Sequence, residues 1–158
     1  MSKKGLYASS VCMLLAAAVA TPSSAAEVKA AGSATYITVS SESTPHGEMT
    51  LEREHSKTVI LADDPNAPIH LSTQDCSGTN LIGADGVPIV ASGYCDGADK
   101  DGDIWWIWFH NSAAGNKWGF LGGTGKFEGV TGEGTTEQQV FMPDGRLVIR
   151  WEGTWEMK

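Results

Sequence analysis

From Thr35 onward, apolar residues recur at every second position in short runs, and no stretch keeps a helical period. The C-terminal run is the clearest. Leu147, Ile149, Trp151, Gly153, Trp155 and Met157 fall on one face; Val148, Arg150, Glu152, Thr154, Glu156 and Lys158 fall on the other, mostly polar face. Strands are predicted at 35–39, 48–55, 57–62, 69–74, 89–95, 103–110, 117–121, 135–141 and 147–158. Residues 27–33 are small and polar and predict a frayed start. Pro45, the run Asp63-Asp64-Pro65-Asn66, the glycine-rich segment 77–88, the acidic segment 96–102 and Pro143-Asp144-Gly145 predict turns. The pattern implies an all-β fold, a small single-domain antiparallel β-barrel of about eight strands, with a sandwich as the alternative.

Within 48–55, Met49, Leu51, Arg53 and His55 share one face, opposite Thr50, Glu52 and Glu54. The most apolar segment, DIWWIWFH at 103–110, is greasy on both faces, which predicts cover on both sides. Were Trp106, Trp108 and His110 to face inward, they would form an aromatic wall ending in a polar group, with Arg53 and His55 at the barrel mouth. An apolar pocket with a few convergent polar groups is the composition of a small-molecule site, so these five are the predicted ligand-binding residues. The competing reading makes the tryptophans plain core. On the opposite face, Trp105, Ile107 and Phe109 form a candidate subunit contact.

Composition adds a compartment. Lys3 and Lys4, the ten-residue apolar run 11–20, and Ser24 and Ala26 ahead of Glu27 have the layout of a cleaved secretory signal peptide over 1–26, leaving a domain at 27–158. The apolar run is too short to span a bilayer. Val11 directly before Cys12 lacks a lipoprotein box, so no lipid anchor is expected. Removing two of the 11 basic residues leaves 9 against 19 acidic ones, a net charge of −10. Such a surface excludes nucleic acid and anionic membranes as natural partners. Cys76 and Cys95 then remain, and in an exported chain they predict a disulfide. The expected location is the periplasm or the outside of the cell.

At 123–132 the chain reads GTGKFEGVTG. Gly123, Gly125, Phe127, Gly129 and Gly132 reproduce the GTGxFxGxxG segment, so the chain resembles allene oxide cyclases and dirigent proteins, whose fold is a compact antiparallel barrel. The likeness extends to Asp144-Gly145 and to Gly153-Thr154-Trp155. The resemblance implies a hydrophobic cavity, homo-oligomers, and binding or steering of a reactive small molecule. Allene oxide cyclases carry a tyrosine after FEGV where this chain has Thr131, which weakens transfer of their cyclisation chemistry.

Other chemistry is sparse. Asp99, Asp101 and Asp103 alternate as in a cation-binding loop. Counted from Asp99, however, Ile104 and His110 stand where an EF-hand needs glycine and glutamate, so a solvated turn is the better reading. His46, His55, His70 and His110 have no metal-type spacing, and no metal or cofactor is expected. Glu128, the acid inside the motif, is expected at the surface. No serine triad or phosphate loop is present. The expected function is binding of a small apolar or aromatic ligand in the barrel. The alternatives are a cyclase or isomerase acting there, and an oligomeric barrel with a packed interior.

Overall fold

The structure, a computed structural model, describes residues 26–157. The signal-peptide expectation therefore lies outside the described residues, apart from Ala26. Eight antiparallel strands follow one another around a closed barrel: β1 (Ala26–His46), β2 (Met49–Ala62), β3 (Ser72–Ile82), β4 (Pro88–Ala98), β5 (Ile104–Ser112), β6 (Gly115–Gly123), β7 (Thr131–Phe141) and β8 (Leu147–Met157). Pairing of Ala26 with Met157 through Tyr36 with Leu147 closes β1 onto β8. Closure removes most sheet edges, and eight strands leave an interior suited to side chains or one small ligand.

Several boundaries differ from expectation. The predicted frayed start is the first third of β1, because β8 supplies partners for it. The strands predicted at 48–55 and 57–62 are one strand, β2. Pro45 does not end β1. Beyond Tyr36 that strand pairs only with β2, so a proline on its free side leaves no ladder bond unmade. Residues 69–71 are not strand. Leu71 takes a left-handed φ of 57°, and the chain tucks Ile69, 5% exposed, beneath the barrel. Of the predicted turn at 77–88, residues 77–82 continue β3 and Pro88 opens β4.

One end of the barrel is a solid floor. Phe127 (0% exposed), Trp155 (1%), Trp105 (2%) and Val130 (2%) are packed there. The Phe127 and Trp105 rings are tilted with centroids 5.1 Å apart, while Trp118, Phe120 and Trp155 meet one another at 5.5–6.2 Å. Phe127 reaches its place on a single 3₁₀ turn, Gly125–Phe127. Gly125 has φ of +54°, and a Cβ there would strike the Asp103 carboxylate. The glycine motif is therefore the device that folds the plug into the floor.

β5 takes the opposite phase from the one considered for its aromatic face. Trp105, Ile107 and Phe109 point inward, so they do not form a subunit contact. Trp106, Trp108 and His110 point outward; Trp106 (42% exposed) and His110 lie open to solvent, and Trp108 is half-buried. With both faces apolar, alternation could not choose between them. Pairing decides: Ile107 lies opposite Cys95, whose disulfide faces the interior, and Trp105 lies opposite Gly97, where any Cβ would collide with its indole.

Candidate functional site

Above the floor the barrel holds a cavity of about 810 Å³. Its lower wall is apolar, built from Trp105, Trp118, Trp151, Ile107, Ile149 and Phe120. The predicted Cys76–Cys95 disulfide is present and forms part of this wall, bridging directly opposed residues of β3 and β4. Tyr36 lies at mid-height. Burial pushes its phenol up to about 12, and the neighbouring Thr58 hydroxyl pulls the other way, so the ring is a neutral donor at physiological pH.

The mouth is different in kind. It is lined by Thr38, Glu52, Glu54, Asn80, Asn111 and Gln138. One amide nitrogen, Asn80 Nδ2, donates to Glu52 Oε2 at 3.1 Å and to Glu54 Oε2 at 3.2 Å, and Thr38 Oγ1 donates to Glu54 Oε1 at 2.7 Å. Glu52 and Glu54 sit two residues apart on β2, so one face of the strand delivers both carboxylates inward. Three irregularities lie at this rim. The register shifts between Thr38 and Ser40 in β1, between Leu81 and Ile82 in β3 and between Gln138 and Val140 in β7, and a bulge at such a site bends the strand and increases its twist.

The five predicted ligand residues lie outside the cavity. Arg53, His55, Trp108 and His110 nevertheless come together, with Tyr94 (66% exposed), along an open outer groove of about 950 Å³ across β1–β5. Trp106 is not in it. His55 Nδ1 lies 3.4 Å from Ser77 Oγ, and its Nε2 lies 3.9 Å from Asp75. Groove and cavity share Ser41, Glu54, Gly78 and Phe109, so a thin wall divides the two. Sequence reasoning missed Glu52 and Glu54 because charge on both faces of 48–55 hid which face turned inward, and it missed Asn80 because that residue falls in a segment read as a turn. The phase of β2 is tied to that of β8 through the register of β1 with each, which the closed barrel supplies.

The acidic turn is occupied by the protein's own cation. Lys126 Nζ lies 2.5 Å from Asp99, 2.9 Å from Asp101 and 4.0 Å from Asp103. Burial alone would raise the Asp99 carboxyl. The Lys126 ammonium and the N–H groups of Asp101 and Asp103 outweigh it and hold Asp99 below the usual range. Lys100 and then Lys126 do the same for Asp101. Glu128 is exposed. Among the described residues no three metal-ligating side chains converge.

No family model matches the chain, and no curated protein is similar to it in sequence. Its fold does have a match. A solved structure of a pterocarpan synthase dirigent protein superposes with a TM-score of 0.52, covering 88% of this chain and 89% of that one at 13% identity. The barrel is dirigent-like. At that identity the dirigent-like likeness is one of fold, and it agrees with the strand order and closure described above. What the dirigent-like barrel of this chain holds rests on its own side chains.

Proposed function

We propose that the protein is an exported binding barrel that takes one small molecule into its interior, apolar or aromatic in the body and polar at the end nearest the mouth. The observation that carries this reading is the cavity of about 810 Å³, with indoles and aliphatic side chains below and carboxylates and amides above. Its size falls in the range of small-molecule sites. Export is supported by the Cys76–Cys95 disulfide, which persists in oxidising compartments, and by the leader-like first 26 residues.

A second reading is favoured by Glu52 and Glu54. Carboxylates facing an enclosed cavity can exchange protons with a bound intermediate, as a cyclase or isomerase requires. That the solved dirigent protein is a pterocarpan synthase lends weight to this reading. Binding is common to both readings and is tested first. Titration of the mature protein with the neutral fluorophore N-phenylnaphthylamine should give saturable enhancement and quench the cavity tryptophans. Ile107→Trp, which fills the cavity, should abolish both signals while leaving the fold intact by circular dichroism. Absence of saturable binding to the wild type would overturn the proposal.

A further inference from the structure

We infer that the ligand is an organic cation, an ammonium group on an apolar or aromatic body, with Glu52 and Glu54 as its charge-recognition pair. The inference rests on the reading of the cavity as a ligand site and names the ligand class.

Charge at the mouth of the cavity is unbalanced. Glu52 and Glu54 are the only acidic side chains among those lining the cavity, and Lys117, exposed at the rim, is the only basic one. No ion pair among the described residues involves either glutamate. Both reach the same Asn80 nitrogen, which holds the two oxygens within roughly 6 Å, close enough for like charges to repel. The protein answers this charge with neutral donors alone, the Asn80 amide and the Thr38 hydroxyl. An ionised carboxylate accepts about four hydrogen bonds. The three bonds made by this pair leave most of their lone pairs free, and Glu52 Oε1 has no protein donor.

Elsewhere among the described residues every acid that is not fully exposed has a cationic partner, and the acids without one lie exposed on the surface. Lys126 serves Asp99 and Asp101, Arg150 serves Asp63, Arg146 serves Asp144, and Lys57 serves Asp75. The mouth of the cavity breaks that pattern. Acceptors in excess with net negative charge call for a ligand that donates and is positive.

A second observation comes from deeper in the same cavity. Trp151 lines it, is 5% exposed, and its indole Nε1–H has no acceptor in the protein. A buried N–H left unpaired is costly, and a ligand oxygen would satisfy it. The ligand therefore carries a donating, cationic head toward the mouth and an acceptor on its apolar body. The acidic character of the whole chain concentrates cations around it.

The test uses three probes of one shape: naphthylmethylamine, naphthylmethanol and naphthoate, titrated by calorimetry into the mature protein. The expected order is amine tightest, at least about tenfold ahead of the alcohol, with the carboxylate weakest. Glu52→Gln and Glu54→Gln should each erase most of the amine's advantage over the alcohol. As a readout independent of any probe, each variant should also raise the melting temperature of the unliganded protein, because it removes repulsion within the pair. Equal binding of all three probes, or an amine advantage that survives both substitutions, would sink the cation inference and leave the cavity reading standing. If no probe binds, both fall together.

Discussion

At Lys126 one ammonium answers three carboxylates, and the sign of its effect with pH follows from their shifts. Asp99 and Asp101 are held below the ordinary carboxylate range in the fold, so the unfolded chain binds more protons in acid. Their stabilisation is present above the unfolded value, about 3.9, and is lost as pH falls through the folded values. Lys126→Met should cost about 1–2 kcal/mol at neutral pH. The figure sits below that for a fully buried pair because Lys126 is about one-third exposed and solvent screens it. It should also flatten the acid limb of the stability profile. Urea midpoints measured from neutral pH down to the acid limit, for wild type and variant, check both. An unchanged acid slope would mean that pairing with Lys126 is not what holds Asp99 and Asp101 below the ordinary range. The residue types of this cluster were legible in the sequence. The partner was not, because Lys126 is 25 residues from Asp101 and only the barrel brings them together.

The 3₁₀ turn between β6 and β7 shows what the glycine motif does as an element. It places Phe127, the most buried large apolar residue of the chain, against Trp105 and under the cavity. Phe127→Ala should destabilise the protein by about 3–5 kcal/mol, measured by denaturant unfolding at constant slope. It should also open the floor, so that probe binding weakens along with stability. A loss below about 1 kcal/mol would show that the floor collapses into the space and that the plug is dispensable. At this scale the alternating pattern located most strands, and β8 down to the phase of each side chain. β5 defeated it: DIWWIWFH offers two apolar faces, and alternation has a period but no preferred origin when both faces are greasy. The same ambiguity, with charge in place of grease, concealed Glu52 and Glu54.

For the molecule as a whole, the Cys76–Cys95 bond ties two neighbouring strands across 19 positions of sequence on the wall of the cavity. A loop of that length predicts about 3 kcal/mol from restriction of the unfolded chain. Reduction should therefore lower the melting temperature by on the order of 10 °C for a domain of this size. Thermal unfolding with and without a reductant able to reach the buried bond, together with the Cys76→Ala/Cys95→Ala double variant, checks this. Agreement between the two would assign the loss to the cross-link, and no shift in either would assign β3–β4 stability to pairing alone.

The sequence by itself determined the class of the fold, the pairing of the two cysteines, and the segment that turns sharply between two strands. Each of these is a local property: side-chain period, redox chemistry and the conformational reach of glycine. The tertiary structure alone decided which face of each ambiguous strand turned inward. It thereby placed Trp106, Trp108 and His110 on the outer surface, Trp105, Ile107 and Phe109 inside, and two glutamates at the mouth of the cavity. Those placements depend on register carried from strand to strand around a closed barrel, and register is a relation between distant residues that no single run of sequence contains.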